Sequence, residues 1–194
     1  GTGVTDLVLS SVTVSSSGDA AGENSIDITN MWGLLNAVAN CTFTASPTAE
    51  RLVRINNLVA DDAASDVLTI TGSTFQGTSA SPVGADLLEL TLNGAANLRA
   101  DITGTTFIDS RTNGVQMLVE DTSVGVLNIT SSSLTNQGAG IDMGVAHNGS
   151  LTFDVSNNPT IALRSGSHGS VFNLVTNDTA TATATPVVVA AQGH

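Results

Sequence analysis

The sequence predicts an all-β chain wound as a right-handed parallel β-solenoid of about five to six turns, and three observations carry that expectation. First, a phrase recurs: "VLTITGSTFQG" (Val67 to Gly77) returns as "LRADITGTTFID" (Leu98 to Asp109) and, altered, as "VLNITSSSLTN" (Val126 to Asn136). Second, each copy is followed by another short segment in which apolar and polar residues alternate, as a strand with one buried face requires. Third, aromatics are only 3% of a 194-residue chain that has no Tyr and no Lys, so Val, Ile, Thr, Asn and Gly carry it. Those residues favour short strands and turns over helices.

The repeat fixes a register. With Ile70 as reference, Phe75 lies five residues on; the same pairing joins Ile102 to Phe107, Ile129 to Leu134 and Val38 to Phe43. A copy lengthened by one residue at Pro159 pairs Val155 with Ile161, and Leu9 with Val14 is an earlier one. The references Val38, Ile70, Ile102, Ile129 and Val155 are 32, 32, 27 and 26 residues apart, which is a repeat with variable loops. The second strands read "SIDI", "RLVRI", "DLLEL", "VQMLV", "GIDMGV" and "SVFNLV", several introduced by a glycine (Gly84, Gly114, Gly140, Gly169) where a corner would need a permissive backbone. Connections such as "DDAASD", "NGAAN" and "HNGS" are polar.

A unit of this size cannot bury its own apolar face, so it must stack on its neighbours. Stacking predicts one core column through Val38, Ile70, Ile102, Ile129 and Val155, and a second through Phe43, Phe75, Phe107, Leu134 and Ile161. The corner of the opening phrase falls at Gly72 to Thr74. A single domain over 1–194 is expected, with turns at about 7–33, 34–66, 67–97, 98–125, 126–150 and 151–178, and 179–194 as a terminal strand or cap.

Composition narrows the partners. The net charge is −12, five arginines stand against seventeen acids, and no basic run could track a phosphate backbone, which argues against nucleic acid and anionic membranes. No apolar run approaches the roughly 20 residues that span a bilayer. Cys41 is alone, so no internal disulfide or cysteine metal cluster is available. The opening "GTGVTDLVL" is strand-like at once, which suggests a mature or excised segment whose targeting sequence lies elsewhere.

The "[VL]-x-x-I-T-[GS]-[ST]-[ST]-[FL]" phrase, with its following glycine and alternating strand, resembles the right-handed parallel β-helix repeats of large bacterial surface and secreted proteins, adhesin-like and autotransporter-passenger-like. The resemblance spans roughly Leu7 to Val175. It implies an extracellular or cell-surface protein of structural or adhesive role; the same scaffold also carries phage tailspikes and polysaccharide lyases.

Candidate chemistry is sparse. Asp61, Asp62 and Asp66 share one connection and are weak calcium candidates, as oxygen ligands for a hard cation; a solvated Asp-rich turn is the preferred reading. Asp101, Asp109 and Arg111 fall within one turn and could serve a lyase only if the fold brings them together. His147, His168 and His194 show no metal-ligand spacing, and no nucleophile elbow is present. Cys41 occupies the corner slot of Ser73, Thr105 and Ser132, and Trp32 reads as corner packing. Sequons stand at Asn40, Asn128, Asn148 and Asn177. The tail "TATATATP" alternates strictly, a pattern associated with ice-binding solenoids, but no other turn is read as carrying an aligned T-x-T.

The resulting expectation is an extracellular stalk or self-assembling filament subunit without catalysis. Its partners would be copies of itself end to end, neighbouring domains of a larger surface protein, or glycans. A polysaccharide-binding or polysaccharide-degrading module is the alternative, and an ice-binding solenoid the third reading.

Overall fold

The computed structural model describes residues 2–17, 22–45, 51–58, 66–77, 86–167, 169–177 and 180–184. They form a parallel β-solenoid of about six turns, all strand and turn, with no helix among them. Each turn lays down three strands. The first holds β1 (Thr2–Thr5), β2 (Val8–Ser10) and β3 (Thr13–Ser17), the second β4 (Asn24–Trp32), β5 (Asn36–Ala39) and β6 (Thr42–Ala45). The third holds β7 (Arg51–Asn57), β8 (Asp66–Thr71) and β9 (Thr74–Gln76), the fourth β10 (Leu88–Leu92), β11 (Asn97–Thr103) and β12 (Thr106–Ile108). The fifth holds β13 (Asn113–Val119), β14 (Val124–Thr130) and β15 (Ser133–Gln137), the sixth β16 (Ala139–Val145), β17 (Ser150–Ser156) and β18 (Thr160–Leu163). Two strands follow, β19 (Phe172–Thr176) and β20 (Thr181–Ala184). Three parallel sheets result: sheet A is β1-β4-β7-β10-β13-β16-β19, sheet B is β2-β5-β8-β11-β14-β17-β20, and sheet C runs from β3 to β18.

Both expected core columns are present in register. Leu9, Val38, Ile70, Ile102, Ile129 and Val155 pair successively in sheet B, and Val14, Phe43, Phe75, Phe107, Leu134 and Ile161 in sheet C. Sheet A supplies the third wall, with Ile26, Val53, Leu88, Val115, Ile141 and Phe172 one above another. All members from Val38 to Val155 and from Phe43 to Leu134 are buried, while Ile161 near the end of the stack is half-buried. The phenylalanine rings follow one another along the axis, Phe43 and Phe75 tilted by 38° with centroids 5.0 Å apart and Phe75 and Phe107 stacked at 20° with centroids 4.9 Å apart. Such ring pairs add about 0.5–1.5 kcal/mol each beyond the area they bury.

The corner between sheets B and C repeats one device. Its first residue is left-handed in every turn: Ser11, Asn40, Gly72, Gly104, Ser131 and Asn157, with φ between 52° and 59°. Asn, Ser and Gly tolerate that conformation with the least strain, which explains why the corner is written in those letters. Its second residue turns inward and answers the backbone. The Cys41 N–H donates to Ser73 Oγ at 3.1 Å, Thr105 N–H to Ser132 Oγ at 3.2 Å, and Ser132 N–H to Asn158 Oδ1 at 2.8 Å. Asn158 is the longer side chain that serves the lengthened corner before Pro159.

The expected role of the glycines before the second strands needs correction. Gly114, Gly140 and Gly169 are not among the residues with positive φ. Space is their reason: a Cβ at Gly114 would come 2.8 Å from Leu134 Cδ2, and one at Gly140 or Gly169 would overlap the carbonyl oxygen of Val171 or Gly138. Gly84 lies outside the described residues.

Phe75→Ala, in the middle of the ring stack, is expected to cost about 3–5 kcal/mol, the usual cost of a large cavity in a closed core. Urea unfolding followed by circular dichroism measures it; a loss below about 1 kcal/mol would contradict the packing described.

Candidate functional surfaces

With the interior filled by aliphatic columns, function must be sought on the outward positions of the three sheets. Asp61 and Asp62 lie outside the described residues. Asp66 opens β8, is 3% exposed, and accepts the Gly33 N–H at 2.7 Å on Oδ1, so its carboxylate caps the corner of the turn below instead of facing solvent. Among the described residues no group of three or more His, Cys, Asp or Glu could hold a metal ion.

Asp101, Asp109 and Arg111 are not brought together. Asp101 stands on the outer face of sheet B, where Arg99 Nε donates to it at 2.8 Å and Asn128 Nδ2 at 2.7 Å. Asp109 sits beyond β12 at the corner toward sheet A, left-handed with φ 64°, and accepts the Asn136 carboxamide. Arg111 is exposed two residues later. His147 lies 3.6 Å from Asp121, both half-open to solvent, while His168 and His194 are outside the described residues. Cys41 is buried in its corner slot. Trp32 lies over Gly3, whose added Cβ would come 2.9 Å from the indole Cζ3, consistent with packing. The alternating tail supplies β20, which pairs with β17.

The outer face of sheet A carries what sequence reasoning missed. Its register stacks Asp27, Arg54, Glu89, Gln116, Asp142 and Asn173 into one polar file along the rod. Neighbours in the file are joined: Arg54 Nε to Glu89 Oε1 at 3.2 Å, Gln116 Nε2 to Asp142 Oδ2 at 3.0 Å, and Asn173 Nδ2 to Asp142 Oδ1 at 2.7 Å. Arg51 joins from the end of β7, its guanidinium also bonded to Glu89, so two arginines cover a carboxylate that is only 8% exposed. The signal was in the strand phrases themselves. The polar letter between two apolar ones in "RLVRI", "DLLEL", "VQMLV" and "GIDMGV" is the outward position each time.

Beside this file, Asp86 is buried, its Oδ1 accepting Thr112 Oγ1 at 2.9 Å and the Asn113 N–H at 3.0 Å. Burial raises its pKa above the ordinary carboxyl value, opposed by those two bonds and assisted by the nearby Glu89 charge.

Sheet C differs in chemistry. Thr13, Thr42, Thr74, Thr106, Ser133 and Thr160 form an unbroken outward file of hydroxyls. A second file reads Ser15, Thr44, Gln76, Ile108 and Thr135. Aligned hydroxyl pairs of the T-x-T kind therefore exist in the body of the solenoid, at Thr13/Ser15, Thr42/Thr44 and Ser133/Thr135, contrary to the expectation that no turn besides the tail carries one. In each phrase the hydroxyls flank the apolar core position, Phe43 between Thr42 and Thr44 and Leu134 between Ser133 and Thr135.

These surfaces define a parallel β-solenoid with three chemically distinct faces. Compared with known proteins, the chain matches no family model, no curated protein and no solved structure.

Because the Asp86 pKa is raised on folding, the protonated carboxyl stabilises the fold; that contribution is complete below about pH 4 and is lost as pH rises through the raised value. Asp86→Asn keeps an acceptor for Thr112 and Asn113 without the buried charge. It is expected to raise the thermal midpoint at pH 7 and to flatten its decline above about pH 4. A lower midpoint at pH 7 would contradict this account of Asp86.

Proposed function

We propose that the chain is a structural, adhesin-type β-solenoid of the cell exterior, a stalk or filament-forming segment without catalysis. One observation supports this above the others: all six edge strands are free of charged residues. At one end stand β1 ("TGVT"), β2 ("VLS") and β3 ("TVSSS"), at the other β18 ("TIAL"), β19 ("FNLVT") and β20 ("TATA"). Soluble sheets guard open edges with charge, proline or bulges, because unpaired N–H and C=O groups invite another strand. Among the described residues of these strands the guards are register shifts at β3 and β18.

The core columns support the same reading. Leu174 continues the column of Ile28, Ile55, Leu90, Met117 and Met143, yet is 36% exposed, while Met143 directly beneath it is 0% exposed. A further turn of the same kind, from a second copy or from a neighbouring domain, would cover it and pair the edges. The extracellular location in this proposal follows from the resemblance of the repeat phrase to bacterial surface β-helices.

A second reading, ice binding, is favoured by the hydroxyl files of sheet C. A flat, regularly spaced hydroxyl face suits an ordered water layer. Thermal hysteresis in a freezing assay would support it, and its absence would remove it.

The purified chain is expected to form short rods in negatively stained micrographs that lengthen end to end as concentration rises, seen also by sedimentation. Leu174→Glu should abolish the lengthening while leaving the circular dichroism spectrum unchanged. Rods of one length at all concentrations would remove the filament form and leave the stalk; compact globular particles would contradict both.

A further inference from the structure

The polar file of sheet A passes beside a groove of about 250 Å³ on the outer face. Its floor is Gly144. In the outward row of Thr29, Asn56, Thr91, Leu118, Gly144 and Val175, this is the one position without a side chain. The glycine φ is not left-handed, so the residue is explained by space: a Cβ would lie 2.7 Å from Leu118 Cδ2. Leu118 and Val175 form apolar walls, and Val175 is 45% exposed. Glu120, Asp142, Asn173 and Asn177 supply the polar rim.

The rim is biased toward acceptors. Asn173 and Gln116 each donate a carboxamide N–H to one oxygen of Asp142, holding that carboxylate in place while leaving it further lone pairs. Those two carboxamides are thus turned onto the rim itself, and the carboxylates of Asp142 and Glu120 remain for a ligand, with the Asn177 carboxamide beside them. A neutral sugar needs donors as well as acceptors and is favoured by an aromatic platform; no aromatic residue lines this groove. A side chain with an aliphatic stem and a donor-only cationic head fits better, the stem between Leu118 and Val175 and the head on the carboxylates. No arginine of the chain itself lines the groove, and the net charge of −12 steers cations toward it.

From this geometry we infer that the Gly144 groove is a docking site for an arginine or lysine side chain presented by an extended segment of a partner protein. The inference does not depend on the filament proposal.

A fluorescein-labelled (Gly-Arg)4 peptide tests it, with the citrulline peptide of the same shape and no charge as its control, by fluorescence anisotropy on the full chain. The arginine peptide should bind and the citrulline peptide should bind at least about tenfold more weakly, as loss of a charge-assisted hydrogen bond implies. Asp142→Asn and Glu120→Gln, each of which removes one rim charge, should each weaken binding by a similar factor with the circular dichroism spectrum unchanged. Glu23→Gln, an exposed acid near the start of β4 at the far end of the sheet, should leave binding unaltered. Equal binding of the two peptides would overturn the inference. So would equal losses in Glu23→Gln and Asp142→Asn, which would mean diffuse electrostatics, or binding of a neutral maltohexaose in place of the peptide.

Discussion

Register between successive turns is the constraint on which everything else in this protein depends. A turn of some thirty residues has no core of its own, and its strands gain buried neighbours only by lying on the turn before. Because side chains alternate with a period of two, a slip of one residue would carry every aliphatic of a strand to the outside and every Thr, Asn and Asp to the inside. The backbone ladder alone does not prevent such a slip, since its bonds are the same in any register. The side chains prevent it: Phe43, Phe75 and Phe107 can stack only on one another, and the inward Ser73, Ser132 and Asn158 can answer a corner N–H only from one position.

Once register is fixed, outward residues are aligned as strictly as inward ones, although nothing in the core demands any particular chemistry from them. The three faces therefore diverge. Sheet A gathers charges and carboxamides, sheet C gathers hydroxyls, and sheet B carries the Arg99–Asp101–Asn128 cluster beside a threonine pair, Thr103 and Thr130, whose hydroxyls are 3.1 Å apart. A solenoid turns a scattered sequence into files spaced by about 4.8 Å, and the groove over Gly144 is what one missing side chain does to such a file.

The repetition that reveals the fold also limits what the sequence shows. Ile70 and Phe75 were legible because the core reuses one residue type per position, so both columns and their corner could be placed from letters alone. The sheet A file was not, because its members, Arg54, Glu89, Gln116, Asp142 and Asn173, share a position and no chemistry; a search for self-similarity passes over them. The burial of Asp66 and Asp86 was equally hidden. Acidic residues flanking polar connections read as solvated, yet Asp66 caps Gly33 and Asp86 is held by Thr112 and Asn113 across turns distant in sequence. Gly114 and Gly140 were recognised as special for the wrong reason, since close approach of a neighbouring turn leaves the same letter as a left-handed corner.

The central claim, a stack of turns in strict register, is tested most directly by distances along one file. Spin labels placed in pairs along the outward row of Thr13, Thr42, Thr74, Thr106, Ser133 and Thr160 report them, in a Cys41→Ser background that puts at that corner the residue already used at Ser73 and Ser132. The Cα separations should climb by about 4.8 Å for each turn, reaching about 24 Å between Thr13 and Thr160. Separations that do not grow in proportion to the number of turns would contradict the account.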